Sequence, residues 1–348
     1  EEIKKELERS KSFLGSLVNL FWEDSLYNQV DAKTKYENTI YAVKNFFMAK
    51  SLQDPVVIEI SDGIWIDSDS SKMLEVITQN MTGHPIIIIS DTRYLDDGSE
   101  KVIISNDDIF IERIKLDKLT KELSMKLIEN ILNPKANIDI SIPKETVSFV
   151  RKKSEDNPFY IEQIILYLQK NNLLDLEYSL KDKDFEIPSS INSIIIARID
   201  RLKNNLKKVV QTASVLGKEF NIKVLSGMLN NRDIEEELTE GKKENIWSVL
   251  TELNYLFRHA LISESIYEMQ LKKQLRELHK LAAETFEKLF SDEIDQYYFD
   301  IANHYYRAES IKKAIDYLFK AGVQAQNEYK NKQAIDLYDR LLKLIKRK

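Results

Sequence analysis

The stretch that most constrains the fold is residues 55–67, which read PVVIEISDGIWID. Val56 to Ile60 is a short apolar run with β-branched side chains, and it ends at a Ser-Asp-Gly turn. Such a run predicts a buried strand of a parallel sheet. Ligands bind at the carboxyl ends of the strands in open α/β sheets, and Asp62 falls at that end. The alternative is a strand that simply ends in an Asp turn.

The residues that follow repeat this alternation of strand and helix. Residues 68–80 carry apolar side chains at helical spacing, and Ile86 to Ile89 is a second short apolar run that predicts a buried strand. The alternation predicts a parallel α/β sheet. We therefore expect the two main strands to be adjacent and parallel, with Asp62 and Arg93 emerging at the same edge. Two weaker strand candidates follow at residues 102–104 and 109–114.

The rest of the chain has a helical pattern. From residue 119 onward the apolar residues recur with the period of a helix, and we expect almost no strand from residue 246 to the end. Near the carboxyl end small and aromatic side chains alternate at helical spacing, which is typical of tetratricopeptide-type repeats, and an ordinary helical bundle is the alternative. We expect antiparallel helices from about residue 292 and an exposed apolar stripe formed by Leu341, Leu344 and Ile345.

Composition limits the classes of function. The chain has 348 residues, of which 43% are hydrophobic and 31% are charged, as in soluble globular proteins of several domains. Its net charge of −6 argues against broad binding to nucleic acid or to anionic membranes. The absence of cysteine excludes disulfides and thiolate metal sites and fits a reducing, cytoplasmic setting. No apolar run reaches the length of a membrane span.

Several motifs, in one order along the chain, resemble a single family. VVIEISDGIWID resembles a Walker B strand with its E-D-x-H-W-x-D type motif, and IIIISDTR resembles the sensor-like strand that follows it. Further along, SEDNPFYIEQ resembles the G-N-P-F-F-I-E-E helix of a lid, ASVLGKEF the start of a winged-helix-like part, and FRHAL the segment before helical repeats. Together they resemble the STAND-type (AAA-like) signal-transduction ATPase module of multidomain class III adenylate/guanylate cyclases and related regulators.

The resemblance implies a fold that combines an α/β part with an all-α part. It implies a partial P-loop NTPase parallel sheet, then a helical lid, a winged-helix-like domain and the start of tetratricopeptide-like repeats. The corresponding residues are 1–118, 119–186, 187–291 and 292–348.

The resemblance also implies roles for four residues in a site for ATP and Mg²⁺. Asp62 would hold the metal, and Arg93 would contact the γ-phosphate, because a planar guanidinium suits phosphate oxygens. Pro158 would lie near the base and sugar, and His259 would touch the phosphates in a closed state. Each residue also has a structural explanation. Asp62 would belong to a turn, Arg93 to a surface ion pair and Pro158 to the first position of a helix, and His259 would be a buried imidazole.

The chain departs from the family pattern in places that bear on activity. None of its eight glycines lies in a G-x-x-x-x-G-K-[ST] phosphate loop, so we expect that loop upstream of residue 1 in a longer parent protein. Ser61, Ile64 and Asp156 stand where the family has Glu, His and Gly, and a Ser hydroxyl cannot act as a carboxylate base. We therefore predict that this chain alone neither hydrolyses ATP appreciably nor binds it tightly.

We also expect Trp65 to belong to the core and Asp67 to cap the next helix.

These observations leave three interpretations of function. In the first, the chain is a regulatory ATP-binding module whose parent protein switches an attached output domain, such as a nucleotide cyclase. In the second, it is a nucleotide-independent scaffold whose helical repeats bind a protein partner. In the third, its winged-helix-like part binds DNA, which the acidic balance disfavours and a basic recognition helix would favour.

Overall fold

The computed structural model describes residues 2–95, 97–106, 109–133, 142–181, 188 and 190–346. Ile187, the first residue of the expected winged-helix-like domain, and Ser189 lie outside the described residues. The chain forms two compact units, one made of Glu1–Arg113 with Ile315–Lys348 and the other of Ile114–Ala314.

Helices and strands alternate in the amino-terminal part of the first unit. They are α1 (Glu2–Ser16), α2 (Leu26–Gln29), α3 (Ala32–Ser51), β1 (Val56–Ile60), α4 (Ser68–Thr78) and β2 (Ile86–Ser90). α1 packs against α3, and α3 packs against α4 and β1. The carboxylates of Asp31 and Asp67 accept hydrogen bonds from backbone N–H groups in the first turns of α3 and α4. The predicted cap at Asp67 is therefore confirmed.

β1 and β2 are adjacent and parallel, as predicted, with Val56 paired to Ile86 and Ile60 to Ser90. Side chains alternate between the two faces of a strand, and the exposure of these strands alternates in the same way. Val57 and Ile87 on one face are each 60% exposed. The prediction of fully buried strands is therefore wrong for this face. Residues 102–104 and 109–114 are not strands either, because no described segment pairs with them.

The second unit begins with three helices that share a core. They are α5 (Lys121–Leu132), α6 (Lys144–Ser154) and α7 (Pro158–Lys170). α7 packs against both other helices, and its apolar face is buried at Ile161, Ile164, Ile165 and Leu168. Pro158 occupies the first turn of α7, which its fixed φ and missing N–H suit.

A mixed group of helices and short strands follows. It consists of α8 (Ile191–Asp200), α9 (Asn204–Leu216), β3 (Glu219–Asn221), α10 (Ile222–Met228), α11 (Glu235–Lys243), β4 (Trp247–Val249), β5 (Asn254–Phe257) and α12 (Ala260–Glu268). The three strands form an antiparallel sheet in the order β3-β5-β4. The expectation of almost no strand after residue 246 is therefore wrong here. Strands of three or four residues are too short to show a clear period of two in the sequence.

Four helices complete the chain. α13 (Lys272–Leu289) and α14 (Tyr298–Arg307) belong to the second unit, α15 (Ile311–Asn327) begins there and continues in the first, and α16 (Asn331–Ile345) belongs to the first. α13 packs against α14, and the Tyr305 hydroxyl donates to Glu287 at 2.8 Å. α15 and α16 approach so closely at Gly322 that a Cβ there would lie 2.5 Å from the Tyr338 ring.

The apolar stripe at the end of the chain differs from the prediction. Leu341 and Leu344 are buried, whereas Ile345 is 49% exposed. The exposed apolar side chains of α16 are Ile335, Leu342 and Ile345. A helix therefore does present an apolar stripe here, but on a face rotated from the predicted one, because the predicted face is packed within the chain.

Candidate functional site

The turn after β1 is held by the residue that follows β2. The backbone N–H of Asp62 donates to the Asp91 carboxylate at 2.9 Å, and the N–H of Gly63 donates to the Asp91 carbonyl at 2.7 Å. Asp62 is in the left-handed region, with φ of 55°. A Cβ at Gly63 would lie 2.9 Å from Ile103, so only glycine fits here without a shift. Asp91 thus sets the conformation of the turn that carries Asp62.

A lysine holds the other end of the same turn, which forms a short 3-10 helix over Gly63–Trp65. The Lys101 ammonium donates to the carbonyls of Ile64 at 2.5 Å and Ile66 at 3.1 Å. Sequence reasoning missed both Asp91 and Lys101 as positioning residues. Asp91 comes two residues after a predicted strand and could have been suspected, but Lys101 lies too far along the chain for any local pattern to indicate it.

Arg93 lies over an exposed aromatic ring. Its guanidinium carbon is 5.7 Å from the centroid of the Trp65 ring, which is a cation–π contact. Trp65 is 69% exposed, so the expectation that it belongs to the core is wrong. Asp62 and Arg93 both emerge at the carboxyl edge of the β1–β2 sheet, as predicted. Their contacts with a ligand remain predictions.

The residues at this edge suit one half of a Mg²⁺–nucleotide site. Asp62 and Asp91 supply two carboxylates, and within the described ranges no set of three or more His, Cys, Asp or Glu side chains could hold a metal ion. Mg²⁺ in nucleotide sites is typically bound through one or two carboxylates together with phosphate oxygens and water. The number of carboxylates is the number that such a site uses, whereas the sequence supplies no glycine-rich loop of backbone amides for the phosphates.

The second unit brings Pro158 and His259 close together. Phe159, the neighbour of Pro158, stacks on the His259 ring with centroids 3.9 Å apart and planes 16° from parallel. His259 also caps α12, because its Nδ1 accepts a hydrogen bond from the Leu261 N–H at 3.2 Å. The neutral ring therefore carries its proton on Nε2. The sequence reasoning overlooked Phe159 as a residue that positions His259, although Phe159 lies within the lid-like motif.

The turn before α7 tolerates Asp156 in place of the family's Gly. Asp156 has φ of 60°, a left-handed conformation that Asp adopts more readily than most residues. Arg151 donates two hydrogen bonds to its carboxylate, at 2.8 and 3.0 Å, and these bonds hold the pKa of Asp156 below its usual range. The bidentate pair holds the Asp156 side chain in this turn, and Asn157 then caps α7.

The four predicted site residues form two pairs in the structure. Asp62 and Arg93 lie in the first unit, and Pro158 and His259 lie in the second. Among the helices that the structure describes, none is long and apolar enough to cross a membrane.

Comparison with known proteins supports one fold. No protein-family model matches the chain. An uncharacterised protein of Rhizobium meliloti (strain 1021) is 22% identical over 268 residues, which make up 73% of this chain and 24% of that protein. A crystal structure of a Signal Transduction ATPase with Numerous Domains (STAND) protein with a tetratricopeptide repeat sensor, from Pyrococcus horikoshii, matches with a TM-score of 0.50 and 13% identity. That match covers 92% of this chain and 46% of the other.

The chain therefore has a STAND-like fold over most of its length, which confirms the coarse part of the predicted resemblance. It spans about a quarter of the Rhizobium protein and less than half of the Pyrococcus protein. Neither protein connects the fold to a nucleotide cyclase, so that link stays a prediction.

Proposed function

We propose that this chain is a regulatory module of a larger signalling protein, in which Mg²⁺–ATP at the carboxyl edge of the β1–β2 sheet controls an attached output domain. The observation that carries the proposal is the arrangement of Asp62, Asp91 and Arg93 where open parallel sheets bind ligands. The STAND-like fold supports the same conclusion. A class III nucleotide cyclase is the output domain that the sequence motifs favour.

Each residue has a role that its surroundings permit. Asp62 coordinates Mg²⁺ directly or through water, on a turn fixed by Asp91. Arg93, oriented by the Trp65 ring, contacts the terminal phosphate. Pro158 and His259 form a second contact surface on the lid and the domain that follows it. Bound Mg²⁺ would neutralise phosphate charge, and the protein's part is to position that charge.

The order of elements supports the proposed domains. α9, β3, α10, α11 and the β4–β5 hairpin follow one another in the order of a winged helix. α11 carries four glutamates, Glu235, Glu236, Glu237 and Glu240, against two lysines. Carboxylates repel nucleic-acid phosphates, so this helix does not favour the DNA-binding interpretation.

A fluorescence titration tests nucleotide binding. Trp65 is exposed beside Arg93 and serves as the reporter. Because the chain lacks a phosphate loop, we expect binding of Mg²⁺–ATP weaker than micromolar, with quenching that disappears in Trp65→Phe and persists in Trp22→Phe. Asp62→Asn and Arg93→Gln should weaken binding, whereas Asp24→Asn, a matched change on an exposed loop of the same unit, should not.

The effect of the variants on quenching, and not the affinity of the wild type alone, decides whether the nucleotide site lies at this edge. Quenching that Asp62→Asn and Arg93→Gln leave unchanged would remove the nucleotide site from this edge. Micromolar binding that depends on Asp62 would keep the site and show that a phosphate loop is dispensable here.

A nucleotide-independent scaffold is the second candidate. The exposed stripe of Ile335, Leu342 and Ile345 on α16 favours it, because exposed apolar side chains on one face of a helix suit a protein partner. The two candidates differ in one measurable respect: partner binding through α16 would be independent of Mg²⁺–ATP and insensitive to Asp62→Asn.

A further inference from the structure

A cavity away from the residues assigned to nucleotide lies in the second unit, where α7, α8 and α11 meet. Its volume is about 270 Å³. It is close to the lower end of the range for small-molecule sites, so it suits a ligand of metabolite size. Ile199, Leu202 and Ile246 supply its apolar wall.

The side chains that line the cavity carry more positive than negative charge. Four basic residues and two acidic residues line it, which is an excess of two positive charges in a protein whose net charge is −6. Lys170 pairs with Glu244 at 2.5 Å, and Lys203 pairs with Glu240 at 3.0 Å. The two remaining cations are Arg198 and Arg201.

Neither arginine forms a salt bridge in the part of the chain that the structure describes, although the negative charges of Glu244 and Glu162 act on Arg198. Arg198 donates to the side-chain oxygen of Gln163 and, at 2.8 Å, to the carbonyl oxygen of Glu244, which are both neutral acceptors. Burial lowers the pKa of Arg198, which shows that its charge is partly withdrawn from water. Arg201 is exposed at the mouth and forms no ion pair or side-chain hydrogen bond there.

We propose that this cavity binds a small dianion, such as a phosphate monoester or a dicarboxylate, between Arg198 and Arg201. Two planar guanidinium groups can each give paired N–H donors to such a group. The positive charges attract an anion more strongly here than on an open surface, because Arg198 is partly withdrawn from water. The aliphatic wall would then pack against the body of the ligand.

Binding at this place would have a structural consequence. Lys170 ends α7, Arg198 lies in α8 and Glu244 follows α11, so a ligand here would hold three helices of the second unit together. A ligand that binds only the folded state stabilises it by mass action. The site therefore provides a second input, independent of nucleotide, to the lid and the domain that follows.

Calorimetric titration of the full 348-residue chain with inorganic phosphate and, separately, with succinate tests the proposal. Chloride at matched ionic strength controls for screening, and thermal unfolding is followed in parallel. Arg201→Gln removes the exposed arginine. Lys273→Gln is its matched control, because Lys273 is also an exposed cation of the second unit without an ion pair in the described residues.

We expect one equivalent of phosphate or succinate to bind in the millimolar range or tighter and to raise the unfolding temperature. Arg201→Gln should weaken binding by roughly tenfold, as for loss of a charge-assisted pair, and Lys273→Gln should leave it unchanged. Binding of phosphate alone would identify the phosphate monoesters, and binding of succinate alone the dicarboxylates. The proposal is overturned if neither probe binds, or if both variants have the same effect.

Discussion

The Nδ1 atoms of His279 and His304 lie 2.9 Å apart, so one imidazole donates a hydrogen bond to the other. The Tyr267 hydroxyl lies 2.9 Å from Nε2 of His279, and Arg307 lies 3.5 Å from the same hydroxyl. This chain of polar groups joins α12, α13 and α14 inside the second unit. It is compatible with neutral imidazoles, because two imidazolium rings would direct N–H groups at each other.

We predict that acid destabilises the second unit through this pair. Burial lowers the pKa of His279 from 6.5 to about 3 and that of His304 to about 4. The unfolded chain takes up protons near pH 6.5 and the folded chain does not, so the free energy of unfolding should fall as the pH falls from about 6.5 toward 4. Urea unfolding between pH 7.5 and 4 measures this slope.

The variant that tests the assignment is His304→Gln, which removes one of the two titrating groups. Its free energy of unfolding should depend less on pH than that of the wild type. Tyr267→Phe is the control, since it keeps both imidazoles and should keep most of the slope. An equal slope in all three proteins would mean that the acid loss arises elsewhere.

Gly241→Ala should destabilise the second unit strongly. A Cβ at Gly241 would lie 2.3 Å from the ring of Trp247, which is 1% exposed and donates from its indole nitrogen to the Leu238 carbonyl. The ring cannot move without breaking that bond, so we expect a loss of at least about 2 kcal/mol in thermal or urea unfolding. In a double variant, Trp247→Phe should recover part of the stability that Gly241→Ala removes. If the stability losses of the two single variants simply add in the double variant, the contact is contradicted.

Asp91→Ala should loosen the turn that carries Asp62. It removes the acceptor of the Asp62 N–H, and we expect a loss of about 1 kcal/mol and faster hydrogen exchange at that amide. Asp91→Asn keeps an oxygen acceptor and should behave like the wild type in exchange. Unchanged protection of the Asp62 amide in Asp91→Ala would show that the turn is held by other groups.

Two neighbouring residues of α16 should respond differently to the same change. Leu344 is 7% exposed and Ile345 is 49% exposed. Leu344→Lys buries an ammonium and should cost about 2–4 kcal/mol, whereas Ile345→Lys should cost little and improve solubility. Equal destabilisation by the two variants would mean that the exposed stripe is covered in solution.

Local sequence alone determined the elements that depend on near neighbours. The two apolar runs form strands, Asp67 caps α4, and Pro158 opens α7. Gly217 follows α9 with φ of 113°, a backbone conformation that glycine adopts readily because it has no Cβ. Each feature rests on backbone preferences and on hydrogen bonds within a few residues, so a short window of sequence contains the information.

Only the tertiary structure decided which surfaces are buried and which groups meet. Trp65 is exposed, Leu344 is buried, and Asp91 and Lys101 hold the turn at Asp62 from positions far along the chain. Phe159 meets His259 across 100 residues. Hydrophobic burial and hydrogen bonding between distant segments act through packing, which no local pattern of side chains specifies.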